Sequence, residues 1–496
     1  MNKEIHKYAR YMNIMQETRW ASIEEIQNHG TLIDLNADDY PASGLPLFSD
    51  AKTAYVDNKD THTLIFGSTG SKKSRLFCMP LINILTKAGE SFIATDPKGE
   101  LFQKTSGLAK EKGYRTIVLN FRDIDHSDKW NPLSLPYDLY HSDQKEAAIG
   151  MLNDFITSIS APHTLTTSDM YWPSMASSLA LANLILLMEC ARKDEANLMS
   201  LSLLSTHQAL EDIKALSGTM DPTSIAGINY KGFFTAPAKT RETIISVLYS
   251  MLRIFNLQKS LTAMLSENTI DIRQFGREKT AVYLIIPDEK TTYHFLATTF
   301  IKQAYEIMIA EAQKEDNNKL PIRVNFILDE FCNIPQIPDM PSMISAARSR
   351  NMRYFLVVQS MHQLIGKYGE DAHTIKGNCD NWVFLTSREL SLLNELSDLC
   401  GAIHLADGTV RKLISVSELQ RLSKEKGEAL IISGRQYPFI AELPDIDDYQ
   451  MFHSHPAVQL PASTTGVIPC FSVSRLFKSV CSGLQPAPFS KCIPNS

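Results

Sequence analysis

Short apolar segments alternate with longer amphipathic segments along most of this chain, from about residue 61 to residue 450. The apolar segments are rich in β-branched and aromatic residues, which is typical of buried strands. They comprise residues 62–66, 91–95, 115–119, 280–286, 324–328, 354–359, 382–386 and 429–433. Segments with a helical period separate several of them. The pattern therefore predicts an α/β fold, a mostly parallel sheet covered by helices on both faces.

A long stretch between the third and fourth predicted strands has no strand pattern. From about residue 140 to residue 260, apolar residues recur with a helical period, as in MASSLALANLILLMECARK and RETIISVLYSMLRIF. This pattern predicts an all-α domain inserted into the α/β core. The apolar run from Met175 to Met188 is interrupted by polar residues and is shorter than the ~20 residues that span a bilayer. We expect it to be a buried helix.

These patterns divide the chain into four parts. Residues 1–60 form a polar, turn-rich N-terminal segment, and residues 451–496 form a flexible C-terminal tail whose segment from residue 452 onwards has no Asp or Glu. The segment VSRLFKSVCSGL in this tail can form a short amphipathic helix, for which docking on the body is favoured over a partner or a membrane. The α/β domain comprises residues 61–139 and 261–450, and the inserted all-α domain comprises residues 140–260.

Composition narrows the class of protein. A length of 496 residues allows two or three domains, and 44% apolar and 21% charged residues are typical of a folded globular protein. The net charge of -6 gives no global positive field, so any nucleic acid must be contacted by local patches or by a lumen formed on assembly. The eight cysteines form no CxxC pair, which suits a reducing cytoplasm.

The first predicted strand runs into a loop of small residues, GSTGSKKS. It matches the phosphate-loop pattern G-x-x-x-x-G-K-[ST] at Gly67, Lys73 and Ser74, but Lys72 stands in place of the second glycine. A left-handed conformation at a non-glycine residue costs about 1–2 kcal/mol, although the charge of Lys72 could strengthen phosphate binding. An ordinary Gly/Ser turn is the alternative. The predicted nucleotide-binding residues are Gly67, Ser68, Thr69, Gly70, Ser71, Lys72, Lys73 and Ser74.

A buried strand with the sequence VNFIL ends in two adjacent acids, Asp329 and Glu330. Hydrolysis of a nucleoside triphosphate needs an acid that holds Mg²⁺ and a residue that activates the attacking water. Ligands in doubly wound sheets gather at the carboxyl ends of the strands, where these acids are predicted to lie. We interpret Asp329 as a metal ligand, with Ser74, and Glu330 as the base. A solvent-facing turn is the alternative.

The segment AARSRNMRYFLVVQS places three arginines before a buried strand and Gln359 at its end. Gln359 can read the terminal phosphate or the attacking water, and a capping amide is the alternative. Arg348, Arg350 and Arg353 have three interpretations: an arginine finger, a contact to DNA phosphates, or a solvated helix face. A finger acts across a subunit interface, so that interpretation predicts an oligomer.

No histidine lies at a spacing typical of a hydrolase triad or a metal site. His62 begins the predicted strand before the phosphate loop, and His362 lies close to Gln359 in the sequence, so both are near the predicted site. No acid or nucleophile pattern accompanies either one. We therefore interpret both as hydrogen-bonded packing residues.

Several longer motifs resemble those of one protein family and occur in the same order along the chain. They are similar to the TraG/TraD class of conjugative type IV secretion coupling proteins, and the resemblance spans roughly residues 17–450. The motifs are TDPKGELFQKT, WNPL, LDEFCNIPQIPDMP, AARSRNMR, VVQSMHQLIGKYG, IKGNCDNWVFL, LISVSEL and PDIDDY.

The resemblance implies a RecA-like P-loop motor domain with an all-α insertion. It implies a hexameric ATPase, using ATP and Mg²⁺, that receives a relaxase bound to single-stranded DNA and passes it to a type IV secretion channel. The site residues carried over are Lys73 on the phosphates, Ser74 and Asp329 on the metal, Glu330 as base, Arg348 as finger and Gln359 as sensor. The acids and lysine of DPKGE, Asp96, Lys98 and Glu100, could contact nucleotide or brace the loop, and bracing is favoured.

The chain also departs from this family. Its members usually begin with transmembrane helices, whereas this sequence starts close to the segment RWAS that normally follows them. We therefore expect a cytoplasmic protein, or one held at the inner face of the membrane by a partner. The substitution at Lys72 leaves an alternative function, a nucleotide-binding adaptor that recruits a relaxase without hydrolysing ATP. A third possibility is a DNA motor that works without a secretion channel.

Overall fold

The computed structural model describes residues 18–164, 170–404, 409–452, 455–462 and 466–476. The chain forms two compact units. An α/β unit comprises residues 1–118, 272–294 and 304–459, and a helical unit comprises residues 119–271, 295–303 and 460–496. The first 17 residues of the predicted N-terminal segment lie outside the described residues.

A small antiparallel sheet follows the helix Ile23–His29 in the α/β unit. Its strands, in the order β1-β3-β2, are β1 (Thr31–Asp34), β2 (Leu45–Ser49) and β3 (Thr53–Asp57). The sequence predicts only a polar, turn-rich segment here. The strands escape notice because they are short and because β2 contains Pro46, a residue typical of turns.

Within the described residues, nine further strands form the main sheet, in the order β14-β13-β10-β4-β9-β8-β5-β7-β6. The eight predicted strands all lie in it, which confirms the α/β prediction. Strands β11 and β12 form a separate antiparallel pair. The bounds are β4 (Thr63–Gly67), β5 (Ser91–Asp96), β6 (Arg115–Asn120), β7 (Thr280–Ile285), β8 (Val324–Leu328), β9 (Met352–Val358), β10 (Asn381–Thr386), β11 (Ala402–His404), β12 (Val410–Lys412), β13 (Glu428–Ser433) and β14 (Phe439–Glu442).

The centre of the sheet is parallel. Strand β4 pairs in parallel with β9 and β10, and β8 pairs in parallel with β9 and β5, whereas β13 and β14 are antiparallel. Every residue of β4, β8 and β9 is buried, because helices cover both faces. The carboxyl ends of these strands therefore meet at one edge of the sheet, and their amino ends meet at the opposite edge.

Helices flank the strands in the α/β unit. They are Ile23–His29, Met79–Lys87, Glu100–Glu111, Met340–Ala347, Met361–Tyr368, Asp371–Gly377, Leu390–Cys400 and Val416–Leu419, and His294–Ala312 has residues in both units. A π-helical turn, Ser74–Cys78, precedes the helix that follows the phosphate loop. Such turns are frequent at functional sites. Short 3₁₀ turns include Arg348–Arg350 and Ile446–Asp448.

The helical unit is built around the helix Tyr171–Cys190. Its other helices are Ser134–Tyr140, Lys145–Thr164, Leu198–Leu204, His207–Leu216, Ile225–Thr235, Ala238–Leu252 and Lys259–Met264. The helix Tyr171–Cys190 packs against several of these, and its Asn183 accepts a hydrogen bond from the Tyr230 hydroxyl at 2.7 Å. Among the described residues it alone has the length and apolarity of a membrane span, and most of its residues are buried in the fold. This agrees with the expectation of a buried helix.

The helical unit begins earlier and ends later than residues 140–260. The Trp130 ring lies 5.3 Å from that of Phe300, edge to face, and the Asn131 amide donates to the Ala196 carbonyl at 2.8 Å. Residues 119–139 and 261–271 therefore pack with the helices. Local periodicity does not report such contacts, because the partners are distant in sequence.

Parts of the predicted flexible tail pack on the fold. In the α/β unit, the Val458 N–H donates to Ser106 Oγ at 3.0 Å. In the helical unit, the Phe471 N–H donates to Ser200 Oγ at 2.9 Å, and Phe471 and Val473 are buried apolar anchors. Residues 473–476 form one helical turn, and the remainder of VSRLFKSVCSGL lies outside the described residues.

Candidate functional site

The loop after β4 is tight. The Ser68 N–H donates to the Thr386 carbonyl at 3.0 Å, and the Ser71 N–H donates to the Ser68 carbonyl at 3.1 Å. A Cβ at Gly67 would lie 2.5 Å from Ser71 Oγ, so only glycine fits there. Gly70 has a φ of 77°, in the left-handed region that glycine tolerates. The geometry of the turn therefore explains why residues 67 and 70 are glycines.

Lys72 adopts the left-handed conformation that its position requires, with a φ of 65°. For a non-glycine residue this conformation costs about 1–2 kcal/mol. Its ammonium lies 3.7 Å from the carboxylate of Asp445 and 3.9 Å from that of Glu425. The charge of Lys72 is therefore paired with acids outside the loop.

Lys73 points into the fold between the loop and the carboxyl end of β8. Its ammonium donates to the Gly67 carbonyl at 2.7 Å and lies 3.4 Å from Glu330 Oε1. The side chain is 6% exposed. An ammonium held at this place in a phosphate loop can neutralise the charge of bound phosphates.

Ser74 and Asp329 lie side by side, as predicted, although they are far apart in sequence. The Ser74 hydroxyl donates to Asp329 Oδ2 at 2.7 Å, and the Thr95 hydroxyl holds the Asp329 carbonyl at 2.8 Å. Asp329 is 5% exposed, and burial raises the pKa of its carboxyl. The solvent-facing-turn interpretation is therefore wrong for Asp329.

The donor set of this pair fits Mg²⁺. A hydroxyl and a carboxylate are hard oxygen ligands, and Mg²⁺ usually keeps waters and substrate phosphates as its remaining ligands. In the part of the chain that the structure describes, no group of three or more His, Cys, Asp and Glu side chains could hold a metal. An all-protein metal cage is thus absent from the described residues, whereas a two-residue magnesium site shared with phosphates is geometrically possible.

Glu330 and Gln359 follow the neighbouring strands β8 and β9, and a hydrogen bond links their side chains. Glu330 Oε2 accepts hydrogen bonds from Gln359 Nε2 at 2.7 Å and from Asn333 Nδ2 at 3.3 Å. The Thr69 hydroxyl in the phosphate loop donates to Gln359 Oε1 at 3.4 Å. Because the Gln359 amide bonds to side chains throughout the part of the chain that the structure describes, the capping-amide interpretation is wrong.

Glu330 is also strained, with a φ of 53°. A non-glycine residue in this region persists only where the surrounding structure determines its conformation, and such residues cluster at functional sites. Glu330 therefore combines a strained backbone with a carboxylate shared between Lys73 and Gln359.

The three DPKGE residues separate in the structure. Asp96 is buried at the end of β5, and its carboxylate accepts the Phe102 N–H at 2.8 Å. Burial raises the pKa of this carboxyl to about 6. Asp96 thus braces the start of the helix Glu100–Glu111, while the side chains of Lys98 and Glu100 are exposed.

The three arginines also have different environments. Arg348 is 43% exposed, lies 2.9 Å from Asp380, and precedes β9, so it sits at the edge opposite the phosphate loop. Arg353 is only 1% exposed and lies within β9, where its guanidinium contacts Glu90 at 2.8 Å and Asn325 at 2.8 Å. The finger, DNA and solvated-face interpretations are therefore wrong for Arg353, which is a buried structural cation.

His62 packs in the core, as predicted. The Tyr354 N–H donates to its Nδ1 at 3.0 Å, so Nε2 carries the proton and donates to the Ile344 carbonyl at 2.8 Å. Burial lowers the pKa of this imidazole to about 4, which keeps it neutral. The side chain of His362 is exposed, so the packing prediction is wrong for that residue.

Sequence reasoning missed several residues around the site. Asn333, Thr95 and Gln363 orient Glu330, Asp329 and Gln359 through single hydrogen bonds. No local pattern marks such residues. The acids of PDIDDY lie in a motif that the sequence shares with the family, but the sequence alone assigns them no function.

Comparison with known proteins adds the family. The family model described as Type IV secretory system Conjugative DNA transfer matches residues 19–429. Protein VirD4 of Rhizobium radiobacter is 24% identical over 371 residues, which are 71% of this chain and 50% of that protein. The chain therefore spans half the length of this curated relative.

Solved structures of a plasmid coupling protein have the same fold. TrwB in complex with the ATP analogue ADPNP has a TM-score of 0.63 at 15% identity, covering 91% of this chain and 97% of that one. The unbound TrwBdeltaN70 has a TM-score of 0.64 at 15% identity, covering 91% and 96%. The prediction of an α/β P-loop motor fold with a helical domain is confirmed. Because the family model covers most of its length, the chain belongs to the type IV secretory system family of conjugative DNA-transfer proteins.

Proposed function

We propose that this chain is an ATP-hydrolysing motor that delivers relaxase-bound single-stranded DNA to a type IV secretion channel. The observation that carries the proposal is the convergence of Lys73, Ser74, Asp329, Glu330 and Gln359 at one edge of the sheet. Family membership supports the transfer role. TrwB, which shares the fold, was solved with ADP and Mg²⁺, and this supports the choice of nucleotide and metal.

The proposed roles follow from the geometry. Lys73 neutralises phosphate charge, and the backbone of residues 67–74 surrounds the phosphates. Ser74 and Asp329 would hold Mg²⁺, which when bound neutralises negative charge on the β- and γ-phosphates. Burial keeps Asp329 in place but disfavours its charge, so a bound cation compensates for its desolvation.

Glu330 is the proposed base. Its carboxylate accepts the proton of the attacking water, while hydrogen bonds from Gln359 and Asn333 fix its orientation. Gln359 bonds to both Thr69 and Glu330, so it senses the loop and the base together. A change in the loop on hydrolysis would be passed through Gln359 to the helix Met361–Tyr368.

Arg348 is proposed to act on a neighbouring subunit. The seven residues of β9 separate it from the catalytic edge, about 20 Å at ~3.3 Å per residue, so it cannot reach the phosphates of its own subunit. A finger at this place requires a ring, for which we propose a homo-hexamer. Single-stranded DNA would thread its lumen through salt-sensitive phosphate contacts, and membrane contact would come through a partner or the secretion channel.

Steady-state hydrolysis tests the proposal. We expect the full chain with Mg-ATP and single-stranded DNA to turn over ATP at least about 100-fold faster than its Lys73→Ala variant, since electrostatic groups of this kind contribute two or more orders of magnitude. Phosphate release is the measurement. Equal rates in the two proteins would contradict the motor.

The strained Lys72 favours a second candidate, an adaptor that binds nucleotide and recruits a relaxase without hydrolysis. The Lys72→Gly variant separates the two functions, because glycine adopts the left-handed conformation without strain. An active parent chain supports the motor. A silent parent that becomes active on this substitution supports the adaptor.

A further inference from the structure

The segment PDIDDY contains acids that the proposed mechanism does not use. Two of them, Asp445 and Asp447, lie against Arg75, which directly follows Ser74 in the sequence. Arg75 Nε donates to Asp445 Oδ2 at 3.1 Å, and Arg75 Nη2 contacts Asp445 Oδ1 and Asp447 Oδ2. A guanidinium held at two points by a carboxylate is fixed in orientation as well as in distance.

Asp445 also reaches the residue on the other side of the phosphate-binding pair. The Lys72 ammonium lies 3.7 Å from Asp445 Oδ2, and Lys72 is the non-glycine residue with a φ of 65°. Asp445 thus contacts cations immediately before and after Lys73 and Ser74. We call Asp445 with its two cations, Lys72 and Arg75, the Asp445 clamp.

Asp445 is itself well held. Its Oδ1 accepts the Asp447 N–H at 3.3 Å, and its own N–H donates to Asp448 Oδ2 at 2.8 Å, so it caps the 3₁₀ turn Ile446–Asp448. The side chain is 19% exposed. Partial burial opposes ionisation, but the hydrogen bonds from Arg75 and the Asp447 N–H, together with the charges of Arg75 and Lys72, outweigh it and lower the pKa of Asp445, which is charged at neutral pH.

We propose that Asp445 is a positioning residue of the nucleotide site, which holds Lys72 in its left-handed conformation and so replaces the missing second glycine. A glycine would adopt this conformation unaided, whereas Lys72 offers a cation that an acid outside the loop can hold. Arg75 fixes the same carboxylate from the start of the π-helical turn. The inference deepens the proposed function and rests on it for the identity of the ligand.

The Asp445→Asn variant removes the charge but keeps the capping oxygen, since Asn caps as well as Asp. We expect it to weaken the binding of a fluorescent ATP analogue with Mg²⁺ by about tenfold, the scale of two lost charge-assisted contacts. Asp448→Asn is the matched control, because it removes a charge from the same turn without touching either cation. We expect the control to change affinity by less than about twofold.

A double-mutant cycle with Lys72→Gly separates positioning from a general structural effect. Because glycine does not need to be held, the loss caused by Asp445→Asn should shrink to about threefold in that background, the remainder coming from Arg75. Equal losses in both backgrounds would overturn the proposal. So would an Asp445→Asn variant that binds as tightly as the unmodified chain.

Hydrogen exchange in the nucleotide-free chain tests the Asp445 clamp without relying on ATP binding or turnover. We expect the amides of residues 67–76 to exchange about tenfold faster in Asp445→Asn and unchanged in Asp448→Asn, because loss of the clamp frees the loop to open locally. If the unmodified chain binds no nucleotide, the proposed function is wrong. The exchange rates would still show whether Asp445 holds the loop. Unchanged exchange in Asp445→Asn would overturn it.

Discussion

The Glu330→Gln variant should bind ATP and fail to hydrolyse it. We expect turnover to fall by about 100- to 10,000-fold, the usual contribution of a general base. The amide keeps the size of the side chain and an oxygen that can accept from Gln359, and Lys73 loses a charged partner but stays bonded to the Gly67 carbonyl. Affinity for ATP should therefore stay within about threefold, as for a group that acts only in the transition state.

A matched control is Glu395→Gln. Glu395 is partly exposed and pairs with Lys376 at 2.7 Å, away from the phosphate loop. Phosphate release should change by less than about twofold in this control, as expected for a surface substitution. A Glu330→Gln chain that keeps more than a tenth of the normal rate would assign the base to another residue.

The Arg353→Ala variant should lose about 3–5 kcal/mol of unfolding free energy, the usual effect of breaking a buried ion pair. The substitution removes one of the two cations paired with Glu90, leaving Arg323 at 3.4 Å, and leaves Asn325 Oδ1 without its donor. Urea unfolding, followed by a signal from the α/β unit, measures the loss. The cause would be desolvated groups without partners, and not a missing contact to DNA.

Arg350→Ala is the control for this prediction. It removes the same charge from the same motif, but Arg350 is partly exposed, and its guanidinium donates to the Ser349 hydroxyl rather than to a buried acid. We expect a change within about 0.5 kcal/mol. Comparable losses in the two variants would show that the burial of Arg353 is not what stabilises the sheet.

The sequence was informative where local pattern and burial agree. Strands β4, β8 and β9 are continuous apolar runs because both of their faces are covered, and such runs are visible without neighbours. Strands β2 and β3 are short, and the first contains Pro46, so their pattern resembles a turn-rich segment. Their pairing supplies what the local pattern does not show.

The sequence predicts which residues lie at the strand ends of the site, but it does not predict the hydrogen bonds between them. Lys73, Asp329 and Gln359 each follow an apolar run, and parallel strands bring their carboxyl ends to one edge. The strand order, which puts β9 between β4 and β8, determines that Gln359 bonds to Glu330. That order depends on contacts between distant segments, which single-sequence periodicity cannot report.

The arginines show the limit of reading charge alone. Arg348 and Arg353 belong to one motif, but Arg353 lies within β9, whose residues are all buried, and pairs there with Glu90, while Arg348 precedes the strand and remains exposed. Asp445 is a second residue whose role the sequence does not reveal. Its motif was visible, but its function depends on Lys72 and Arg75, more than 350 residues away, which only the fold brings together.

A structure of the full chain with Mg²⁺ and a non-hydrolysable ATP analogue would show whether the five site residues bind nucleotide and metal together. We expect the terminal phosphate to lie within hydrogen-bonding distance of Lys73 and Gln359. The metal should lie about 2.0–2.1 Å from the Ser74 hydroxyl and either directly on Asp329 or joined to it by one water. A triphosphate bound elsewhere on the chain, or a metal held without Ser74 and Asp329, would contradict this expectation.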